Sequence, residues 1–320
     1  MLKRCLYRLR VSKRFCAIGA VLITCVLLAA AAAAQQPRIT NGQVVPQPAG
    51  TLAQTFRTVV AAQADVAWVG YAVPVRDRNR TTCCWSSADG TSHFSGTMNS
   101  GDTPCCGACG LEPTTAGTRA TVPTAPLAQG PIKLEGSDQL VVLFRIVDRQ
   151  VERVRTYSED CALDAGGRTV HWLQNARPAD SVALLASLID SEPERKNRIT
   201  NAALAAISQH AEPSSVPTIE RLARSHATAG VRGEALFWLA QMAGEKVAGT
   251  ITGAIDNDPD TEVKRRAVFA LSQLPKNEGV PLMIDVARKN KNPAVRKQAM
   301  FWLGQSKDPR AIEFFAEILK

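Results

Sequence analysis

A strict 32-residue period governs the C-terminal half of this 320-residue chain: VRGEALFWLAQ begins at Val231, VKRRAVFALSQ at Val263 and VRKQAMFWLGQ at Val295. Gln209, Gln241, Gln273 and Gln305 stand in one register, the first of them closing NAALAAISQ from Asn201, and Phe237, Phe269 and Phe301 stand in another. Self-similarity at a fixed period marks a repeat architecture in which each unit is one supersecondary element. Within a copy, Val231, Ala235, Leu236 and Leu239 have the i, i+4, i+5, i+8 spacing of one apolar helix face, and the pattern recurs from Val263 and Val295. A second apolar helix follows each time: SVPTIERLARSH from Ser215, EKVAGTITGAI from Glu245, EGVPLMIDVAR from Glu278 and RAIEFFAEIL from Arg310, each behind a short polar or Pro/Gly turn. Two helices this short cannot bury their apolar faces alone, so the units must stack into a continuous core.

The units resemble HEAT repeats, specifically the short HEAT-like kind of phycobilisome lyases. Pro259, Val263, Lys264, Ala267 and Leu271 carry the resemblance, as do Pro293, Val295, Arg296, Ala299 and Leu303, then Asp308-Pro309-Arg310-Ala311. It covers the C-terminal half only, with Ala179–Asp190 as a preceding partner helix, so that residues 179–320 make about four repeats. The layout is similar to that of exported bacterial HEAT repeat domain-containing proteins. The resemblance implies an α-solenoid that binds other proteins, without implying lyase activity, because function lies in the exposed residues. It also implies that the second helices line the concave surface, which makes Arg221, Arg224, Asp285 and Arg288 the candidate partner-binding residues. Their mixed signs suit a peptide or folded protein better than a polyanion.

Two other recurrences have structural readings. Arg232, Lys264 and Arg296 sit one period apart beside inter-repeat turns, where such residues pair with acidic neighbours along a stack. Asp256, Asp258 and Asp260 imitate a calcium loop, but Thr261 stands where glycine is needed, so they are expected to cap the helix starting near Thr261. Phe237-Trp238 and Phe301-Trp302 are expected in the core, with a partly exposed Trp as a possible peptide anchor.

The formal charge of +9 suggests nucleic-acid binding until its distribution is read. Six of the 38 Lys and Arg are Lys3, Arg4, Arg8, Arg10, Lys13 and Arg14; the remaining chain has 32 against 29 Asp and Glu, too little for a counterion-release argument. These six precede FCAIGAVLITCVLLAAAAAA, an apolar run ending at Ala34, so residues 1–34 read as a signal peptide cleaved just before Gln35. The alternative is an anchor formed by residues 15–34 in the inner membrane. Either way the basic end places the remaining chain outside the cytoplasm, in the periplasm or cell envelope.

Beyond that segment the cysteines are Cys83, Cys84, Cys105, Cys106, Cys109 and Cys161. In an oxidising compartment this even number reads as up to three disulfides, with the connectivity open. Cys106-Gly-Ala-Cys109 also permits a redox or metal reading, but no second CxxC accompanies it. The region around the cysteines is strand-like: Thr55–Ala62, Val66–Val75, Ile132–Leu134 and Leu140–Val147 are rich in β-branched and aromatic residues. Gln150–Tyr157 follows a tight Asp148-Arg149 turn, predicting an antiparallel hairpin, and Arg168–Leu173 adds a strand after Gly166-Gly167. Residues 35–54, rich in Gln, Pro and Gly, read as a linker. Ser86, Ser87, Asp89, His93 and Ser95 cluster in the long loop without the rigid turn an acyl-transfer nucleophile needs, and His171 beside Trp172 reads as a structural histidine.

The expectation is therefore an α+β two-domain chain: a small antiparallel β domain with disulfides over 55–175, then an α-solenoid of HEAT-like helical repeats over 179–320. Its expected role is an exported, non-catalytic scaffold or adaptor for a protein or peptide partner, with no cofactor, metal or nucleic acid and with membrane contact only through an uncleaved signal segment. The alternative is an envelope thiol-redox or metal-binding protein using the Cys83 to Cys109 loop.

Overall fold

A computed structural model describes residues 37–78, 84–86, 92–94, 109–112, 138–191 and 198–320, apart from 49, 160 and 162. The expected signal segment, the strand at 132–134 and Cys83, Cys105 and Cys106 lie outside the described residues. The strands are β1 Ile39–Thr40, β2 Gln43–Gln47, β3 Ala67–Pro74, β4 Cys84–Ser86, β5 Ser92–Phe94, β6 Cys109–Gly110, β7 Gln139–Val147, β8 Gln150–Ser158, β9 Leu163–Asp164 and β10 Thr169–Leu173. The helices are α1 Leu52–Ala62, α2 Pro178–Ser191, α3 Arg198–Gln209, α4 Ser215–Ser225, α5 Ala229–Ala243, α6 Ala248–Asn257, α7 Thr261–Ser272, α8 Lys276–Lys289, α9 Pro293–Ser306 and α10 Pro309–Ile318.

The main sheet has the order β2-β10-β3-β7-β8 and is mixed, which corrects the expected antiparallel domain. The predicted hairpin is present: β7 and β8 are antiparallel across Asp148 and Arg149, whose φ angles of 50° and 61° make the turn that matches strand twist. β10, however, lies parallel to both β2 and β3. The expected linker therefore supplies two strands, because an edge position tolerates Pro46, which has no N–H to donate. A second, three-stranded parallel sheet joins β1, β9 and β6.

β3 and β7 are buried on both faces, which explains near-continuous apolar runs such as LVVLF. Alternation sends Val69, Tyr71, Val73, Val142 and Phe144 to one face and Trp68, Val141 and Leu143 to the other. Leu111, Cys161, Leu163, Val170 and Trp172 complete the second face. The first face is covered by α1, not by the strand expected at Thr55–Ala62: Leu52, Phe56 and Val59 fall at i, i+4 and i+7, and Phe56 packs edge-on against Phe144 at 4.8 Å between ring centroids.

From α3 onward the repeat expectation holds. First helices α3, α5, α7 and α9 pack in sequence, as do α2 with α4, α4 with α6 and α8 with α10 in the second layer. Val231, Val263 and Val295 are buried with Ala235, Ala267, Ala299, Leu239, Leu271 and Leu303, as the period requires. Entry to three helices is fixed by side-chain caps: Asp260 accepts from the backbone N–H groups of Glu262 and Val263, Asn292 from that of Ala294 and Asp308 from that of Arg310.

The sheet and the helical stack do not separate into the two expected domains. Residues 37–320 form one compact unit, and a single apolar cluster runs from Leu52 through Phe144 and Leu204 to Phe314. The backbone joins them as well: Arg76 N–H donates to the Gln209 carbonyl at 2.7 Å, and Ala211 N–H to that of Pro74 at 3.0 Å. α2 and α3 pack against the sheet, so burial continues across the boundary expected at 175–179. Among the described residues no helix is long and apolar enough to cross a membrane.

Candidate functional site

The four candidate residues occupy the second-helix layer, but they do not form one cluster. Arg221 and Arg224 lie on α4, and Asp285 and Arg288 lie on α8. α6, the second helix of the intervening unit, comes between α4 and α8 in chain order, so the two pairs belong to different units. Each arginine joins its helix to a neighbouring one in the layer. Arg221 Nη2 lies 3.2 Å from Asp190 Oδ2 on α2, and Arg224 Nη2 donates to Thr250 Oγ1 on α6 at 2.6 Å. Thr250 in turn donates to Glu220 Oε1 at 2.9 Å. Arg288 pairs with Glu317 on α10 and lies 5.4 Å from the Phe314 ring centroid, a cation–π distance. Asp285 pairs with Lys289 one turn on. The Arg221 and Arg288 side chains remain half-exposed, so their pairs add little stability but hold charged groups in defined places.

The recurring basic residues of the first helices do something else. Arg232 Nη1 donates to the carbonyls of His226 and Ala227, and Arg296 Nη1 to those of Asn290 and Lys291, so each caps the C-terminal end of the preceding second helix. Lys264 Nζ reaches the Asp256 carbonyl at 2.8 Å. Among the described residues Arg232 alone of the three also makes the expected acidic pair, a buried fork to Asp258 at 2.8 and 2.9 Å. Burial works against the Asp258 charge, yet hydrogen bonds from Arg232 and from the Asp260 N–H hold its carboxyl below the usual range. The three aspartates thus serve structure: Asp260 caps α7, Asp258 binds Arg232 and Asp256 offers a backbone carbonyl. Among the described residues no group of His, Cys, Asp and Glu is arranged to hold a metal ion.

The aromatic series makes a ladder along the first helices. Phe237 stacks on Phe269 at 5.6 Å and 2°, and Phe269 meets Trp302 at 4.9 Å. Trp238 Nε1 donates to Asn201 Oδ1 at 2.8 Å. These rings are half-buried, not core, and Phe301 is 53% exposed.

One polar constellation was not singled out in the sequence. Tyr71 on β3, Ser181 on α2 and His210 after α3 are fully buried and linked in series: Tyr71 Oη to Ser181 Oγ at 2.8 Å, and Ser181 Oγ to His210 Nε2 at 2.7 Å. His210 Nδ1 lies 2.6 Å from the Ala206 carbonyl, so Nδ1 carries the proton. Nε2 then accepts from Ser181, which accepts from Tyr71. Burial pushes the His210 pKa down to about 4 and raises that of Tyr71. A Ser–His pair resembles half a nucleophilic triad, but both residues are about 1% exposed or less, and the chain of bonds bolts the sheet to the helical stack.

A comparable network holds the segment after β6 against the sheet. Glu112 accepts from Trp68 Nε1 at 2.8 Å and from Arg145 Nε and Nη2 at 3.0 and 2.7 Å, while Arg145 Nη1 pairs with Glu152. The β7–β8 register shifts at Arg145, which places Glu152 as an extra residue facing it. Of the candidate disulfide residues, Cys161 is buried at the second face, and Cys84 and Cys109 have backbone positions in β4 and β6. Of the loop residues set aside for catalysis, Ser86 and His93 have backbone positions in β4 and β5. His171 lies on β10, its Nδ1 3.1 Å from Gln47 Nε2, consistent with a structural histidine.

The family model for HEAT repeats matches residues 249–320. This region carries HEAT repeats. Among solved structures, this chain is similar to YibA of Escherichia coli, 22% identical over 44% of this chain and 54% of that chain, with a TM-score of 0.32. It is also similar to the complex of CpcE and CpcF of phycocyanin lyase from Nostoc, 15% identical over 44% of this chain and 89% of that chain, with a TM-score of 0.35. The chain spans about half the length of YibA. No curated protein matches it.

Proposed function

We propose that this chain is an exported, non-catalytic scaffold whose HEAT-repeat stack binds a protein or peptide partner along its second helices, with Arg221, Arg224, Asp285 and Arg288 at the contact. The observation that carries this reading is the placement, by ion pairs to neighbouring side chains, of half-exposed charges of both signs on two second helices, α4 and α8, that share one continuous core. Such a surface recognises a partner by charge pattern and needs no bound group. Export follows from the basic start and apolar run of residues 1–34, and an oxidising compartment gives Cys83, Cys84, Cys105, Cys106, Cys109 and Cys161 a role as disulfides.

The test is covalent crosslinking of the full chain in the cells that produce it, followed by identification of what is attached. A variant carrying Arg221→Glu and Asp285→Lys keeps the fold, because both positions are on the surface, and is expected to lose most of the partner. Equal capture by this variant argues against the assigned surface. Peptide mapping of the same material without reductant is expected to find an N-terminus at Gln35 and oxidised cysteines. An intact residue 1 with free thiols contradicts both statements.

A further inference from the structure

β1 ends at Thr40 and β2 begins at Gln43, so Asn41 and Gly42 carry the chain from the three-stranded sheet to the main one. Toward the protein this link is tight. The Asn41 carbonyl accepts from Gly167 N–H at 2.7 Å, and the Thr40 carbonyl from Ala165 N–H at 2.9 Å. A Cβ on Gly42 would sit 2.4 Å from that of Ala165 and 2.7 Å from the Arg168 carbonyl oxygen, so the position has room for glycine alone. Toward solvent the link is open. Asn41 and Gly42 are both exposed, and Asn41 has a φ of 50°, in the left-handed region that asparagine tolerates. Neither its side-chain amide nor the Gly42 N–H has a hydrogen-bond partner among the described residues.

These two free groups are neighbours that can react with each other. We propose that Asn41 is a site of spontaneous deamidation, its side-chain amide displaced by the Gly42 nitrogen. Solvent base takes the Gly42 amide proton, the nitrogen bonds to Asn41 Cγ, the Cγ–Nδ2 bond breaks, and the amide leaves as ammonia with a proton from solvent. Water then opens the cyclic imide. Cleavage at Cγ leaves aspartate, and cleavage at the former main-chain carbonyl carbon leaves isoaspartate; in sum one water is consumed and one ammonia released. The attack needs a local turn of the peptide unit between the two residues, which among the described residues is held by the single bond from Gly167 N–H.

Asn175 is a natural comparison within the same chain. It too is exposed, has a φ of 56° and keeps its side-chain amide without a partner among the described residues, but Ala176 follows it and places a Cβ beside the nitrogen that would attack. The two products at Asn41 differ in their effect on the fold. Aspartate leaves the main chain at its present length. Isoaspartate routes the main chain through the former side chain and adds one carbon between Thr40, in register with Asp164, and Gln43, in register with Thr169. With Ala165 and Arg168 pressed against Gly42, the extra carbon has no place, so β1 and β2 cannot both keep their partners. This inference depends neither on export nor on a bound partner.

Peptide mapping of the full chain, incubated folded in buffer near neutral pH, tests this. The peptide holding residue 41 is expected to gain the mass difference between an OH and an NH2 group and to split into aspartyl and isoaspartyl forms. The change should quicken as pH rises, because the attacking nitrogen must lose its proton, while the peptide holding residue 175 stays unmodified over the same time. Asn41→Gly, which suits the left-handed φ, is expected to abolish the change, and Ala176→Gly to start it at Asn175. The isoaspartyl form, separated by ion exchange, is expected to melt below the parent chain, whereas Asn41→Asp melts with it. Modification of residue 41 only after denaturant has unfolded the chain overturns the proposal, as do equal rates at Asn41 and Asn175 or an isoaspartyl form as stable as the parent.

Discussion

Ser181 carries the bolt between sheet and helices: among the described residues, its hydroxyl is the group that joins Tyr71 Oη to the His210 Nε2. Ser181→Ala leaves a buried donor and a buried acceptor without partners and should cost about 1–3 kcal/mol in chemical denaturation, against near neutrality for an exposed serine. The same site sets a pH dependence. His210 is held neutral by burial, with Glu212 as the acidic neighbour opposing that shift, and its folded pKa of about 4 lies below the unfolded value near 6.5. Between those values the unfolded chain binds a proton that the native chain refuses, so stability is full above about pH 6.5 and falls as pH drops toward 4, by roughly 3 kcal/mol in all. His171, also lowered by burial, acts in the same direction. A His210→Gln variant with an unchanged pH slope would refute the assignment. A second residue-level prediction follows from the period. Trp238 donates to Asn201, but the position that stands to Trp302 as Asn201 does to Trp238 is Arg265, whose guanidinium offers no acceptor, and the buried Trp302 Nε1 has no hydrogen-bond partner among the described residues. Arg265→Asn should therefore stabilise the chain by about 1 kcal/mol, since the exposed bonds it gives up are weak; a lowered melting temperature would count against it.

At the scale of elements, the caps and close crossings decide where helices begin and how near they lie. Asp260 accepts two of the first N–H groups of α7, so Asp260→Ala should cost about 1 kcal/mol. Gly279 on α8 lies so near α7 that a Cβ would sit 2.3 Å from the Leu271 carbonyl oxygen, and Gly279→Ala must push the two helices apart. It should destabilise by several times the Asp260→Ala value; thermal melts of the two variants side by side check the order. The helices of the stack were legible because their apolar residues recur both at helical spacing and at the repeat period, and α7 carried its cap in plain view. α1 was not, because its stripe begins at Leu52, which the Pro- and Gly-rich composition assigned to a linker, leaving Thr55–Ala62 to look like a strand. The parallel places of β2 and β10 were invisible for a different reason: nothing local in QVVPQ names a partner so far along the chain. The roles of Arg221 and Arg288 lay between these cases. Asp190–Arg221 and Arg288–Glu317 are separated by 31 and 29 residues, close to one period, so searching for opposite charges at that offset would have found both pairs.

The whole molecule departs from the expected pair of domains. One apolar cluster extends from α1 to α10, and the link between β3 and α3 is made by backbone hydrogen bonds as well as by side chains. Residues 37–320 should accordingly unfold in one transition, with near-ultraviolet signals from Trp68 and Trp172 in the sheet following far-ultraviolet helical signals at the same denaturant concentration. Separate midpoints for the two would restore the two-domain description. The pairing of β2 with β10 also bears on how the chain is made. Gln47 meets His171, 124 residues later, so a strand among the first to be synthesised has no partner until the ribosome has added another hundred residues and more. At ordinary elongation rates that interval is on the order of 10 s. Each helical unit, by contrast, can settle on the one before it almost as soon as it emerges. The sheet is thus the late-closing part of an early-made segment, and its unpaired strands are what a chaperone would find to hold during synthesis.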